Sequence, residues 1–315
     1  MIVLYIILFF IFAVILTSFI CFMKVFYSPK RKVFGPDEYE MLEGEIYEPY
    51  HESMRGWMKQ LREMPHGEFE IKSFDGLALR GKYFETKKGA PIELMFHGYK
   101  GNAERDLCGG VFRAFALGHN ALIIDHRASG QSEGHVITFG VDEYRDCLRW
   151  VEFAINKFGA DVELILTGIS MGAATVMTAA GFELPKNVKF VLADCGYSTA
   201  KDIIKKVIRD MKLPDNILYP FVKLGAKIFG RFDLEEVSPL ESMKKCKVPV
   251  IFYHGDTDDF VPCDMSRELY DACINKKRIE IIVGAGHGLC YPKSKEQYLN
   301  AAREFENEID RKNPA

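Results

Sequence analysis

An α/β architecture, with a mostly parallel sheet covered by helices on both faces, is what this sequence predicts. Short apolar runs alternate with helical patterns through most of the chain. They are preceded by an alternating stretch at 68–85 that turns at Asp75-Gly76, the signature of a hairpin. A glycine-flanked turn joins one central run to a helix of small residues.

Taken in order, the hairpin supplies two strands, and six more are predicted at 92–96, 121–125, 163–167, 189–193, 248–253 and 278–283. That makes a sheet of eight. Helices are predicted near 103–117, 140–158, 171–183, 264–275 and 294–310. About fifty residues separate the fourth of these six strands from the fifth, far beyond an ordinary connection of roughly 2–6 residues. This insertion, about 196–246, carries amphipathic patterns around 200–212 and 216–229, punctuated by Pro214 and Pro220. It is expected to form a small helical cap over the site.

The amino-terminal end differs. Residues 2–23 contain no charged residue, and as a helix they would reach about 33 Å, enough to cross a hydrocarbon core of about 30 Å. Basic residues follow this run and none precedes it: Lys24, Lys30, Arg31 and Lys32. A single-pass anchor with the following domain on the cytoplasmic side is the expectation. Residues 33–65 place apolar side chains mostly three or four apart, predicting amphipathic helices that dock on the domain. The chain therefore divides into an anchor with its basic flank (1–32), an amphipathic linker (33–65) and one catalytic-size domain (66–315).

Charge is nearly balanced, 41 Lys and Arg against 44 Asp and Glu. No basic block lies beyond residue 32, so nucleic acid is not expected as a partner. The eight cysteines are scattered without metal-ligand spacing and are expected to be reduced core residues. No metal or cofactor is expected.

The chemistry concentrates at Leu164-Ile165-Leu166-Thr167-Gly168-Ile169-Ser170-Met171-Gly172-Ala173-Ala174-Thr175. A buried strand, a Gly-X-Ser-X-Gly turn and a small-residue helix form a nucleophile elbow, with Ser170 exposed at the turn. A serine hydroxyl needs a base, and the base needs an orienting acid. His287, in Gly284-Ala285-Gly286-His287-Gly288 after the last strand, is the candidate base. The acid falls within His254-Gly255-Asp256-Thr257-Asp258-Asp259-Phe260-Val261-Pro262, which crowds three carboxylates, or at Asp194 after the preceding strand. Met171, the residue after the nucleophile, is the candidate for one oxyanion-holding N–H. His97 and His254 also sit at strand ends, but each precedes glycine and reads as structural.

Together these passages resemble the alpha/beta-hydrolase superfamily over about residues 66–310. The resemblance implies Asp258 as the acid, because the family's His-Gly-X-X-Asp-X-X-Val-Pro pattern lands on it. Asp256 is then a turn former and Asp259 a solvated residue. It implies Tyr99, in His97-Gly98-Tyr99-Lys100-Gly101-Asn102, as the second oxyanion N–H, with Gly98 and Gly101 allowing close backbone approach. It also gives Asp125-His126-Arg127-Ala128-Ser129-Gly130-Gln131-Ser132 a bracing role, with Ala128 where the family usually has Gly. The anchor and the Asp194-Cys195-Gly196-Tyr197-Ser198 segment are similar to membrane-anchored Bem46-like and serine-aminopeptidase-like proteins. The implied activity is hydrolysis of small acyl or lipid-like esters through an acyl-enzyme. A peptidase or thioesterase, and a non-catalytic membrane-tethered binding module, are the alternatives.

Overall fold

A computed structural model of the chain describes residues 1–29, 34–35 and 37–311. Its centre is one eight-stranded sheet in the order β1-β2-β4-β3-β5-β6-β7-β8. The strands are β1 Gly67–Lys72, β2 Ala78–Phe84, β3 Ile92–Phe96, β4 Asn120–Ile124, β5 Leu164–Ile169, β6 Val188–Asp194, β7 Val250–Gly255 and β8 Lys277–Ile282. The first two pair as the expected hairpin, with Gly76 at φ +93° in its turn, and β2 meets β4 antiparallel. All other pairs are parallel.

Strands β3, β4 and β7 are buried along their whole length, as their largely apolar runs require. One sheet face carries α3 Ala103–Leu117 and α11 Lys295–Asp310. The other carries α4 Glu143–Phe158, α5 Met171–Ala179 and α9 Cys263–Ala272. Helix α4 begins three residues later than expected. The buried Glu143 carboxylate accepts the N–H groups of Thr138 and Gly140 and holds that stretch as a turn. Outside α3 lies the amphipathic α2 His51–Glu63, burying Met54, Met58 and Leu61 and laying Trp57 on Gly109. The expected docking of this region is what the structure contains.

The insertion forms α6 Ala200–Asp210, α7 Asp215–Gly225, a π-helical turn Ala226–Gly230 and the short α8 Pro239–Met243. Pro214 stops the chain before α7 as expected, but Pro220 does not punctuate; it lies inside α7. An internal proline costs roughly 3 kcal/mol of helix stability. Burial of Tyr219 and Val222 on either side of Pro220 holds the helix together despite it.

The apolar helix α1, Ile2–Val25, does not stand free along its length. Residues 1–12 are exposed, whereas Ala13, Thr17, Ser18, Cys21, Phe22 and Val25 form a half-buried to buried stripe. That stripe packs on α7. A Cβ at Gly225 would come within 2.4 Å of the Ser18 carbonyl, so only glycine admits this approach. Phe229 in the π turn meets Phe19 and Phe22 at ring distances of 5.1 and 5.8 Å. Beyond the helix, Phe26 is fully buried against Phe139 and Phe232, Tyr27 bridges Val136, and Ser28 N–H bonds the His135 carbonyl. The end of α1 is thus built into the sheet domain. Lys30, Arg31 and Lys32, which underlie the orientation expected from the sequence, lie outside the described residues.

A charged cluster sits under the centre of the sheet. Glu93 on β3 is completely buried and accepts from Arg113 Nη2, from His119 Nδ1 at 3.0 Å and from Thr167 Oγ1 at 2.9 Å. Burial works against charge on His119, but hydrogen bonds to Glu306 and Glu93 outweigh it and push its pKa up to about 9. The unfolded imidazole titrates near 6.5. A raised folded pKa gives stability that is complete below pH ~6.5 and lost as pH rises through ~9, up to about 3 kcal/mol. The expected result is a melting temperature that falls across this window in the native chain. In His119→Gln that fall is much reduced, which calorimetry at stepped pH would check.

Candidate active site

Ser170 occupies the sharp turn between β5 and α5 at φ +55°, ψ −118°, a strained conformation for a residue with a side chain. Its N–H is held by the Asp194 carbonyl at 2.8 Å. The flanking glycines are obligatory. A Cβ at Gly168 would lie 2.2 Å from the Gly172 backbone, and one at Gly172 would lie 2.0 Å from the Phe96 carbonyl oxygen.

Three of the residues singled out in the sequence come together here. His287 Nδ1 donates to Asp258 Oδ2 at 2.7 Å. An ionised carboxylate only accepts, so that proton is fixed on Nδ1 and Nε2 is left as an acceptor. Ser170 Oγ lies 2.9 Å from Nε2, positioned to donate its proton. Asp258 is locked in turn. Its Oδ1 accepts the N–H groups of Phe260 at 3.0 Å and Val261 at 2.8 Å, and His254 Nε2 stands 3.2 Å from Oδ2. Burial raises the pKa of Asp258, but hydrogen bonds from His254 and His287 outweigh it and hold the carboxyl well below the usual carboxylate range. It therefore stays charged at neutral pH.

His254 is a part of this arrangement that sequence reasoning missed. It reads as structural beside glycine, and its bonds to Ser266 Oγ at 2.6 Å and the Val261 carbonyl at 2.8 Å fit that reading, yet the nitrogen that meets Val261 also faces the acid. The spacing His254…Asp258 was visible, but nothing in it distinguishes a brace for the acid from a brace for the loop. His97 accepts the His126 N–H at 3.0 Å and points its other nitrogen at the Gly98 carbonyl, 2.7 Å away. Asp256 caps the histidine loop by accepting the Gly284 N–H at 2.6 Å. The alternative acid, Asp194, goes elsewhere: its Oδ2 accepts the Tyr298 hydroxyl at 3.1 Å. Cys195 Sγ lies within 4.8 Å of Asp258 and His287 ligand atoms, but both His287 nitrogens are already engaged.

Met171 opens α5, so its N–H is one of the donors a helix leaves free at its start. The loop with Gly98 and Tyr99 passes directly beside it. A Cβ on Gly98 would sit 3.5 Å from the Ser170 Cβ, and one on Gly101 would collide with Asp106 Oδ2 at 1.8 Å. The same Asp106 oxygen accepts the Gly98 N–H at 3.1 Å. From the far side the loop is tied to α1: Tyr99 Oη donates to the Val25 carbonyl at 2.6 Å and Lys100 Nζ to the Lys24 carbonyl at 3.0 Å. Asp125 cradles the bracing loop, accepting from Ala103 and Gln131 N–H, and Ala128 adopts φ +59°, the left-handed region where the family uses Gly.

A cavity of about 190 Å³ opens at Ser170 and runs over the α3 face of the sheet. Its walls are largely apolar. The residues that close it from outside are Leu42, Tyr47, Met54 and Trp57, not the insertion. The insertion reaches only the rim, where Lys206 bonds the Asp259 carbonyl. The cap expected over the site therefore stands beside it, and the amino-terminal linker does the covering.

Comparison with known proteins bears on the fold. The alpha/beta hydrolase fold family matches residues 94–219. The uncharacterized protein YqkD of Bacillus subtilis is 28% identical over 249 residues, covering 78% of this chain and 81% of its own length. Protein bem46 of Schizosaccharomyces pombe is 25% identical over 222 residues, 68% of each chain. Among solved structures, the Pyrococcus furiosus esterase Pf2001 superposes with a TM-score of 0.63 at 20% identity, covering 89% of this chain and 99% of its own. That likeness is one of fold.

Proposed function

Since the chain belongs to the alpha/beta-hydrolase superfamily, we propose that it is a serine hydrolase cleaving carboxylic esters of acyl or lipid-like substrates while anchored to a membrane by α1. The observation that carries this reading is the unbroken relay from Ser170 Oγ through His287 to Asp258. Ser170 Oγ attacks the ester carbonyl carbon as its proton passes to His287 Nε2, and the negative charge on the carbonyl oxygen is met by the Met171 and Tyr99 N–H groups. Collapse breaks the carbon–alkoxy bond, His287 protonates the departing alcohol, and water then attacks the acyl-enzyme with His287 again as base. Asp258 remains charged throughout and steadies the imidazolium. The mostly apolar cavity and the long apolar helix favour acyl chains over polar substrates.

The test is fluorophosphonate labelling of the full-length chain in detergent, with p-nitrophenyl ester turnover in the same samples and Ser170→Ala alongside. Labelling and turnover that both vanish in the variant are expected. Folded protein that takes no label would overturn the reading in favour of a binding module. Labelling without turnover would move it to peptides or thioesters.

The oxyanion loop offers a finer check. Gly101→Ala forces Asp106 away and releases the Gly98 N–H it holds. Ester kcat is expected to fall by about 10–10², with little change in melting temperature.

A further inference from the structure

The cavity at Ser170 takes its long axis from one helix. Asp106, Gly109 and Gly110 of α3 all line it, and their spacing puts them on one face of that helix. Asp106 stands behind the Gly98 backbone, which lies against Ser170. The next position on that face, Arg113, is 2% exposed and turned to Glu93, so the trough ends there. From Asp106 to Arg113 the helix advances about 10 Å, roughly the reach of an extended octanoyl chain.

Two glycines at the middle of a helix weaken it, since each is a poorer helix former than alanine. Gly109 has a reason within the fold: a Cβ there would come within 2.9 Å of the Trp57 ring. Gly110 has none. Outside α3, and among the described residues, its Cβ would meet only Met95 Sδ, at 3.6 Å, an ordinary contact. Both glycines keep accessible surface, and the space beside Gly110 is the cavity. A glycine kept where alanine would fit, in the wall of a cavity that opens at the nucleophile, marks the close approach of a ligand to the backbone. Trp57 forms a fixed roof over this trough. Phe112 and Tyr291 flank its ring at 6.5 and 6.3 Å between centres, and the Lys295 ammonium lies 5.0 Å from its ring centre.

The chemistry decides which part of an ester lies here. The alcohol departs after the first step, whereas the acyl group stays on Ser170 until water removes it. The limb enclosed under α2 suits the part that stays. Resting on the serine-esterase reading above, we propose that the acyl chain lies along α3, over Gly110 and under Trp57, so that the substrates are esters of medium-length acids and Gly110 sets the limit on chain length. Gly110 and Trp57 shape specificity and take no part in bond making.

The experiment uses the full-length chain in detergent micelles and p-nitrophenyl esters from acetate to laurate. In the native chain kcat/KM should rise toward octanoate and fall at laurate. Gly110→Ala puts a methyl group into the trough. The octanoate-to-acetate ratio of kcat/KM should then drop by about tenfold, with a melting temperature no lower than that of the native chain. Trp57→Leu thins the roof and should move the optimum the other way, toward laurate. A merely structural defect lowers all esters alike and leaves these ratios where they were. A length profile that Gly110→Ala leaves unchanged overturns the trough while the esterase reading stands. So does a Gly110→Ala chain that melts below the native one, because the glycine is then needed for packing. A Trp57→Leu chain that does not fold is seen in its melting curve, and Gly110→Ala then decides. If no ester is turned over, the esterase reading falls, and equilibrium binding of octanoate to Ser170→Ala decides the trough. Binding weakened about tenfold on adding Gly110→Ala supports it, and unchanged binding overturns it.

Discussion

Asp258→Asn is expected to lower ester kcat by roughly 10⁴ with little loss of fold, the scale on which the orienting acid of a serine–histidine–acid relay acts. The reason is a proton count. With a carboxylate at 258, His287 must keep its proton on Nδ1, and Nε2 is free to accept from Ser170. An amide can present an N–H to Nδ1 instead, which moves the imidazole proton to Nε2 and removes the base. Oδ1 still has the Phe260 and Val261 N–H groups to accept from, so the loop keeps its shape. Steady-state kinetics would show the loss in kcat with KM little changed. A fall below about tenfold would mean that the proton is placed by some other group, and Asp194 is the carboxylate to test next.

Phe26→Ala is expected to cost about 3–5 kcal/mol, the range for removing a buried aromatic side chain from a packed core. Phe26 is fully buried, with edge-on contacts to Phe139 and Phe232 at 5.9 and 5.2 Å. Phe139 also stacks near Tyr99, 4.9 Å between ring centres, so the hole reaches the oxyanion loop. Phe12→Ala, by contrast, touches an exposed ring on the free part of α1 and should leave the melting temperature in detergent unchanged. Denaturant titration of both variants would check the contrast. A chain begun after residue 28 loses Phe26 together with the Val25 carbonyl that holds Tyr99, and it should be unstable as well as unanchored.

The sheet was legible because its strands are short, apolar and evenly interleaved with helical patterns; their ends differ from expectation by one or two residues. The candidate site residues were legible because each requires a particular backbone: Gly on both sides of Ser170, and glycines around His287. What escaped was whatever depends on long-range placement. Nothing in the apolar stripe of 200–229 says that it faces α1 and not the catalytic cleft. Nothing in the amphipathic spacing of 42–57 says that it closes the cavity. His254 shows the same limit on a smaller scale, since one imidazole nitrogen meets Ser266 on α9 and the other faces both the Val261 carbonyl of the loop and the acid.

The docked half of α1 has a consequence for depth. Its free turns, residues 2–12, measure about 17 Å at 1.5 Å per residue, little more than one leaflet of a hydrocarbon core about 30 Å thick. A bilayer that took up the whole helix would have to take up the flank of the cap with it. Ile228, exposed beside the helix, and Phe229 would then meet lipid chains instead of water. The length of one helix would thereby act as a depth gauge, fixing how far the flank of the domain sinks. An environment-sensitive fluorophore at position 228 in vesicles would read that depth directly.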